Sequence, residues 1–358
     1  MDKIKVLDLF AGIGGFSMGF KKAGFEIICS FDKWKDACET HKKNHRFPIR
    51  NVDISDRASN YWKEWSEANV IIAGPPCQGF SMAGTRDIED PRNKLFLAVT
   101  DATRAINPEI VVIENVKGLL SMENEKGLPV KKYIQEKFES LGYHIHHKVL
   151  DASLHNVPQK RERVIFIASK KGLIKFPQPE KKVVTVGNAL GNIPEPPLEK
   201  ANRPETKYQN YLTSESRILT NHEAVNHSKK VVERMSFVPQ GGNWKDIPPK
   251  VYDVGGKHSN NYRRLHLEEP SITLKHATKS MIIHPTSDRC LTIREVARLQ
   301  SFPDKFNFYG SKSSIHQQLA NAVPPNLGLA IAQTIKEHIQ GKKEYKKNFI
   351  QANLNKVY

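Results

Sequence analysis

Short apolar runs recur through the first 170 residues of the chain, and amphipathic stretches separate them. Segments such as 94–106 and 130–141 carry apolar residues at the three- and four-residue spacing of a helix. Repeated strand–helix units of this size predict an α/β fold with a mostly parallel sheet covered by helices on both faces. The apolar runs are KVLDLF (5–10), EIICSF (26–31), NVIIAG (69–74), EIVVIEN (109–115) and RVIFIAS (163–169).

The pattern changes near residue 175. Residues 171–290 make up about a third of the chain, yet they hold 11 of its 21 prolines and show weak periodicity. Helical periodicity returns at 291–300 and 326–339. We therefore predict a first domain over 1–175, a smaller irregular domain over 176–288, a return to the first domain over 289–345 and a flexible tail over 346–358.

Charge and cysteine content narrow the class of protein. The 358-residue chain has a net charge of +17, which favours a polyanionic partner, although a basic and merely solvated surface would account for it equally well. No apolar run approaches the roughly 20 residues of a membrane span, so we expect no membrane partner. The four cysteines form no CxxC pair, and no His, Cys, Asp or Glu set has metal-ligand spacing, so we expect a reduced, cytoplasmic protein without a metal.

Polar residues at the ends of the first two apolar runs suggest a cofactor site, because ligands bind outside the carboxyl ends of parallel strands. The first run continues into DLFAGIGGF (8–16), whose glycines allow a tight turn before a helix. Asp32 follows Gly12 by twenty residues, where an acid can accept hydrogen bonds from ribose hydroxyls, and Asp53 lies beyond it. An ordinary strand–helix turn is the alternative, but the acids favour a nucleoside-containing cofactor.

The third, fourth and fifth runs bring chemistry to the same edge. Cys77 lies in GPPCQGFS (74–81), on a loop that prolines stiffen before it and a glycine loosens after it, which suits a reactive thiolate. Glu114 abuts an apolar strand, where a carboxylate needs a partner or a task. Arg161 and Arg163 in QKRER are its candidate ion-pair partners, or they hold a polar substrate.

The ordered set of motifs resembles that of the cytosine-C5 DNA methyltransferases. It covers residues 1–170 and 289–330, and the GPPCQGFS element is highly specific. The middle region resembles the family's variable target-recognition segment by position alone. The motifs are DLFAGIGGF, GPPCQGFS, ENV (114–116), QKRER, RxLTxRExARLQSFPD (289–304) and QxxANAVPP (317–325).

The resemblance implies a Rossmann-like fold and methyl transfer from S-adenosylmethionine, with S-adenosylhomocysteine as the product. Cys77 would add to C6 of a flipped cytosine, Glu114 would bind N3 and the exocyclic amine, Arg161 would hold O2, and Arg163 would support the loop. Carried over position by position, the cofactor contacts would be Phe10, Ala11, Gly12, Ile13, Gly14, Gly15, Asp32, Lys33, Asp53, Ile54, Pro76, Leu95, Asn321 and Val323.

Three positions depart from the family pattern. Asp32 stands where glutamate is frequent and has a shorter reach. Lys33 stands where an aromatic residue often stacks on adenine, so that contact is open, and Trp34 is a candidate replacement. Ala320 stands where a glycine is usual before Asn321, which constrains the turn.

We expect double-stranded DNA as the partner, with residues 176–288 reading its sequence. We also expect a cognate restriction endonuclease and a monomeric protein. Arg264 could instead be a structural brace, and any of the candidate DNA-contact residues could contact phosphate rather than a base. Three other functions compete with DNA methylation: RNA methylation, DNA binding by a catalytically silent relative, and a dehydrogenase activity. The presence of Cys77, Glu114 and Arg161 disfavours a silent relative. The GxGG spacing disfavours a dehydrogenase. The DNA-contact candidates are Gln78, Ser81, Lys257, His258, Ser259, Asn260, Asn261, Arg263 and Arg264.

Overall fold

A computed structural model describes residues 3–55, 60–76, 94–123, 127, 129–252 and 261–354. Within these residues, seven strands form one sheet. Each of the five apolar runs forms a strand, because β-branched side chains on both faces of each run can be buried under helices. The strands are β1 (Lys5–Leu9), β2 (Glu26–Asp32), β3 (Ile49–Asn51), β4 (Val70–Ala73), β5 (Ile110–Val116), β6 (His144–Asp151) and β7 (Glu162–Ser169).

The strand order in the sheet is β3-β2-β1-β4-β5-β7-β6. The pairs from β3 across to β5 are parallel, whereas β7 runs antiparallel to both β5 and β6. The prediction of a mostly parallel α/β sheet is confirmed. Chain connections diverge on either side of the β1–β4 pair, and such a switch point opens a ligand crevice at the carboxyl ends of the strands.

Helices cover both faces of the sheet and also build the second half of the chain. They are α1 (Gly15–Lys22), α2 (Lys35–Asn44), α3 (Lys94–Ile106), α4 (Val130–Glu139), α5 (Val186–Leu190), α6 (Lys207–Thr213), α7 (Lys229–Ser236), α8 (Ile293–Leu299), α9 (Lys312–Asn321) and α10 (Pro325–Leu354).

Two hydrophobic clusters lie on the two faces of the sheet. Alternate residues of β1 point to opposite faces, so Leu7 packs with α3 and α4, whereas Val6 packs with α1 and α10. The α1–α10 contact is close because Gly19 faces the backbone of α10: a Cβ on Gly19 would lie 2.4 Å from the amide nitrogen of Leu329. Both ends of the chain therefore contribute to one core.

The irregular middle region packs in two parts. Its first part, with α5 and α6, shares a hydrophobic cluster with α8, and this cluster reaches Ile13 and Ala37 beside the glycine-rich loop. Buried Arg298 fastens it, because this guanidinium pairs with Asp304 and donates to the carbonyl of Ala189. Its second part has a small core of its own, made of Met235, Val238, Ile247, Tyr262, Ile283 and Cys290. The boundaries at residues 176 and 288 remain predictions.

The structure differs from the predicted secondary structure at three places. Strands β3 and β6 were not predicted: β3 has three residues, and β6 (HIHHKVLD) carries His and Lys on a half-buried edge. The predicted tail from residue 346 continues α10 as far as Leu354, since helix formers predominate there and no proline follows Pro325. Within the described residues, no helix is long and apolar enough to cross a membrane.

Candidate active site at the carboxyl edge of the sheet

A cavity of about 320 Å³ opens at the carboxyl ends of β1, β2, β4 and β5, where the strand order predicts a crevice. Its volume lies in the range of small-molecule sites. Twelve of the fourteen predicted cofactor residues line this cavity, and one further acid from β1 joins them. The lining includes Asp8, Phe10, Ala11, Gly12, Ile13, Asp32, Lys33, Trp34, Asp53, Ile54, Pro76, Leu95, Glu114, Arg161, Arg163, Asn321 and Val323.

The glycine-rich loop forms the floor of this cavity. Gly12 has a φ of +54°, and a Cβ there would meet nothing within 4 Å, so a ligand can approach its backbone closely. Gly14 and Gly15, predicted as cofactor contacts, do not line the cavity. A Cβ on Gly14 would lie 2.4 Å from Nε2 of His45, and one on Gly15 would lie 2.2 Å from the carbonyl oxygen of Val323. These two glycines therefore allow close packing beneath the loop.

Asp32 ties the loop to the end of β2. Its Oδ2 accepts from the backbone N–H of Gly12 at 2.7 Å, and its Oδ1 accepts from that of Trp34 at 2.8 Å. Burial raises the pKa of Asp32 from its ordinary value, and these two N–H donors oppose the rise. The carboxylate thus orders the loop, and it has further lone pairs with which to accept from a ligand hydroxyl.

Lys33 and Trp34 line the cavity directly after the end of β2. Lys33 Nζ lies 3.2 Å from Oδ2 of Asp53, and both side chains of this pair are largely exposed. Trp34 is half-buried, lines the cavity and packs on the cluster that holds Ile13. Trp34 therefore brings an aromatic ring to the cavity wall, which the aliphatic side chain of Lys33 cannot do.

Asp8 is an acid of the cavity that the sequence reading missed. It lies on β1, is 1% exposed, and its Oδ2 accepts from the hydroxyl of Ser17 at 2.5 Å. Burial, with the nearby Asp32 charge, raises the pKa of Asp8 to about 7, although the Ser17 hydroxyl opposes the rise. The sequence does contain a signal for Asp8, because it is a carboxyl group inside an apolar run, the same pattern that indicates Glu114.

Glu114 lies at the end of β5 and pairs with Arg163 from β7. Arg163 Nε lies 2.8 Å from Oε1 of Glu114, and the two side chains are 12% and 10% exposed. The next residue, Asn115, donates from Nδ2 to the carbonyl of Pro75 at 3.0 Å. That bond fixes the segment that leads into position 77. Cys77 itself, with Gln78 and Ser81, lies outside the described residues.

Arg161 has a different environment from that predicted. It is 1% exposed, and its Nη2 donates to the carbonyl oxygens of Ala320 and Ala322, at 2.7 and 3.0 Å. Burial lowers the pKa of Arg161 to about 9, with Arg163 lowering it further and Glu114 opposing. It braces the segment around Asn321, whereas Arg163 contacts the acid at the cavity wall. Both arginines line the cavity, and the roles expected for them towards a substrate remain predictions.

A second, larger groove of about 950 Å³ continues from the cavity and shares its two arginines and Asn321. Its wall comes from β7 and from the segment 272–276 of the middle region. The cationic side chains Lys117, Lys160, Arg161, Arg163 and Lys275 outnumber the acids Asp151 and Glu162 in this wall. Cations therefore outnumber acids in the groove wall, although Lys117 pairs with Glu162 and Lys160 with Glu269.

The predicted DNA-reading residues of the middle region divide in two. Arg264 is 6% exposed, and its guanidinium donates to four backbone carbonyls and pairs with Asp288. These contacts are those of a structural brace, the alternative role considered for Arg264, and they leave little of its guanidinium open to a ligand. Arg263 is half-buried. Lys257 and its neighbours 258–260 lie outside the described residues.

Fold and site define an α/β enzyme whose nucleoside-sized cavity holds a buried acid–arginine pair beside a glycine-rich loop. Comparison with known proteins narrows this class. Residues 4–337 match the family model described as C-5 cytosine-specific DNA methylase. The chain belongs to that family and is a DNA cytosine-C5 methyltransferase.

Relatives and solved structures agree. Type II methyltransferase M1.HphI of Haemophilus parahaemolyticus is 39% identical over 340 residues, 92% of this chain and 86% of the relative. M.DdeI of Desulfomicrobium norvegicum is 34% identical over 93% of this chain and 88% of its own length. A solved E. coli structure, described as a DNA modification methyltransferase encoded within a prophage, has a TM-score of 0.77 at 27% identity over 94% of this chain and 100% of its own. S. pombe Dnmt2, with a TM-score of 0.60 at 18% identity over 94% and 99%, shares the fold.

Proposed function

We propose that the protein transfers a methyl group from S-adenosylmethionine to C5 of a flipped cytosine in a short specific sequence of duplex DNA, through a bond between Cys77 and C6. One observation carries the proposal: the buried Glu114–Arg163 pair shares a cavity with the glycine-rich loop. That arrangement offers a polar clamp for a base next to a site for a nucleoside cofactor.

The cavity fits S-adenosylmethionine in shape and charge. Gly12 leaves open space against the loop, and Asp32 keeps lone pairs for ribose hydroxyls. Ile54, Pro76 and Leu95 supply apolar surface, and Trp34 supplies a ring for the adenine. When bound, the cofactor supplies an electrophilic methyl group on a sulfonium.

The chain's own residues make the cytosine nucleophilic. Addition of the Cys77 thiolate to C6 interrupts the aromatic system, and the resulting enamine attacks the methyl group through C5. Loss of the C5 proton then allows the C6–sulfur bond to break and frees the thiolate. C5 and C6 are inaccessible inside a stacked duplex, so the base must leave the stack.

Glu114 and Arg163 hold the base during these steps. Glu114 binds N3 and the exocyclic amine, and it stabilises the charge that builds when Cys77 adds. We assign the contact with O2 to Arg163, because its guanidinium lies beside Glu114, whereas that of Arg161 already donates to the carbonyls of Ala320 and Ala322. Arg161 then acts by positioning Asn321.

Replacement of Arg163 separates the two assignments. Arg163→Lys keeps a cation but loses the planar fork, and we expect single-turnover methylation to fall 10²- to 10⁴-fold, the range of a positioned polar catalyst. Arg161→Lys should mainly lower stability in urea. Equal loss of the chemical step in both variants would contradict the assignment of O2 to Arg163.

The positive groove beside the cavity is proposed to take the phosphate backbone around the flipped nucleotide, and residues 176–288 to read the site. A chimera that carries the matching segment of a relative with another site tests the second point. An active chimera should methylate the relative's site. Continued methylation of the original site would exclude the recognition role.

The type II names of the relatives support a role in a restriction–modification system, with a cognate endonuclease that cuts the same site. We propose that the enzyme acts as a monomer. Methylation of RNA is the alternative within the same fold. Transfer of a tritiated methyl group from S-adenosylmethionine to duplex DNA or to tRNA decides: label in DNA alone supports the proposal, and label in tRNA alone refutes it.

A further inference from the structure

The glycine-rich loop is held by a second side chain besides Asp32. Helix α1 begins after this loop, where the N–H of Met18 donates to the carbonyl of Gly14 at 2.9 Å. Ile13 is buried, and its carbonyl lies one residue before that bond, so it needs a partner from elsewhere in the chain. Nε2 of His45, directly after the end of α2, lies 3.1 Å from this carbonyl oxygen.

The imidazole of His45 acts as the donor in this contact. A carbonyl oxygen accepts hydrogen bonds and donates none, so Nε2 carries the hydrogen. Burial lowers the pKa of His45 to about 4, and the bond to the Ile13 carbonyl opposes that shift. The ring is therefore neutral at pH 7, in the tautomer that leaves Nδ1 without a hydrogen.

Aromatic packing fixes the position of this ring. The ring of His45 stacks on that of Phe47, with the two centroids 4.8 Å apart, and makes an edge contact with Phe306 at 5.7 Å. A Cβ on Gly14 would lie 2.4 Å from Nε2, so the imidazole is in close contact with the loop backbone. The donor of His45 is thus held next to its acceptor.

The neighbouring imidazole of His41 packs in the same place but makes no hydrogen bond to the loop. It is fully buried, and its ring centroid lies 4.5 Å from that of His45. A Cβ on Gly14 would lie 2.8 Å from its Cδ2, so it too packs against the loop. Neither of its nitrogens has a hydrogen-bond partner among the described residues. The two histidines therefore allow a packing role to be separated from a hydrogen-bonding role.

We propose that His45 is a positioning residue for the cofactor, whose Nε2–H holds the carbonyl of Ile13 and thereby keeps the glycine-rich loop in the shape that S-adenosylmethionine binds. This inference rests on the proposed function, since it takes S-adenosylmethionine as the ligand of the cavity. Gly12 and Ile13 both line that cavity. Asp32 fixes the N–H of the first, and His45 fixes the carbonyl of the second.

Loss of the His45 bond should weaken cofactor binding through the population of loop shapes. Without this bond the free protein adopts other conformations of the loop, and the cofactor has to restore the binding-competent one. The apparent affinity falls by the fraction of molecules in which the loop is competent. A histidine that only packed against the loop would stabilise the free and the bound protein equally and would leave the affinity unchanged.

Calorimetric titration of S-adenosylmethionine into His45→Phe and His45→Gln tests the bond. Phenylalanine keeps a ring for the packing but has no donor, so the Kd should rise by roughly 5- to 100-fold, as expected when a buried carbonyl loses its partner. The amide nitrogen of glutamine is separated from Cα by the same number of bonds as Nε2 of histidine, so His45→Gln should recover most of that loss. In methylation assays His45→Phe should raise the KM for the cofactor far more than it lowers kcat.

His41→Phe is the matched control, because it replaces an imidazole that packs against the same loop and breaks no hydrogen bond. Its cofactor Kd should stay close to that of the wild type. An unchanged Kd in His45→Phe, or an equal rise in His45→Phe and His41→Phe, would overturn the role of His45 while leaving the methyltransferase assignment intact. Failure of the wild type to bind S-adenosylmethionine would overturn both.

Nitrogen-15 NMR of the wild-type protein with labelled histidine keeps the test decisive if His45→Phe does not fold. The signals of His45, assigned by their loss in His45→Gln, should show a hydrogen on Nε2 and none on Nδ1 at pH 7, with and without S-adenosylmethionine. A hydrogen on Nδ1 instead would exclude the bond to the Ile13 carbonyl and overturn the proposal.

Discussion

Removal of the Asp32 carboxylate tests how the glycine-rich loop is held for the cofactor. Asp32→Ala deletes two hydrogen bonds at once, from the N–H groups of Gly12 at 2.7 Å and of Trp34 at 2.8 Å. Both bonds are to a charged acceptor, and such bonds contribute about 1.5–3 kcal/mol each. The substitution therefore removes a hydrogen bond both from the glycine-rich loop and from the segment that carries the Trp34 ring.

Only part of that free energy reaches cofactor binding. The Trp34 bond stabilises the start of α2, and its loss should appear mainly as reduced stability in urea. The Gly12 bond orders the cavity floor, so its loss of about 1.5–3 kcal/mol should weaken cofactor binding by about 10- to 150-fold, at 1.4 kcal/mol for each factor of ten. Any ribose contact of Asp32 would add to this loss.

Calorimetric titration of S-adenosylmethionine into Asp32→Ala and Asp32→Asn provides the measurement. Asparagine keeps one acceptor oxygen but turns an amino group towards the other N–H donor, so its cofactor Kd should fall between those of the wild type and Asp32→Ala. The Ala variant should still form a covalent complex with DNA at saturating cofactor. A Kd for Asp32→Ala within twofold of the wild type would refute the proposed function of Asp32 in ordering the loop.

Three further outcomes follow from the packing. Gly19→Ala would place a Cβ 2.4 Å from the backbone of α10, so it should lower the free energy of unfolding in urea by about 1–3 kcal/mol. Gly341→Ala, where a Cβ meets nothing within 4 Å, should raise that free energy slightly. Equal effects of the two variants would contradict the close α1–α10 contact. Arg264→Ala removes the donor from four backbone carbonyls, so it should lower the free energy of unfolding in the same assay by at least about 1–3 kcal/mol and leave the methylated sequence unchanged. An altered site in bisulfite sequencing would instead assign a DNA-reading role to Arg264. Burial lowers the pKa of His41 to about 2 and that of His45 to about 4, from about 6.5 in the unfolded chain. The stability that the two neutral imidazoles contribute is therefore present above pH 6.5 and is lost as the pH falls towards 4. A urea midpoint that stays constant between pH 7 and pH 5 would contradict this.

Apolar runs predicted the sheet well because burial on both faces leaves a clear signal in the residues themselves. The five runs form β1, β2, β4, β5 and β7, with each end within one residue of the predicted one. The two missed strands lie at the two edges of the sheet. An edge strand is covered on fewer sides, and its half-exposed His and Lys side chains in β6 carry no apolar period.

The site was predicted as a set of residues but not as a division of roles. Arg161 and Arg163 share one chemistry and are two positions apart, so the sequence does not distinguish them. Their difference arises from the carbonyls of Ala320 and Ala322, which reach Arg161 only when the chain returns to the sheet. Gly14 and Gly15 likewise belong to the right motif, yet distant segments take up the space beside them.

Methyl transfer as proposed requires a covalent bond between Cys77 and a cytosine in DNA. A duplex that contains 5-fluorocytosine at the target cannot lose its C5 substituent, so the adduct that precedes release should accumulate when S-adenosylmethionine is present. We predict a complex that survives denaturation, whose DNA adduct maps to the peptide with Cys77 by mass spectrometry and does not form with Cys77→Ala. Trapping by Cys77→Ala, or an adduct on Cys29, Cys38 or Cys290, would contradict the account.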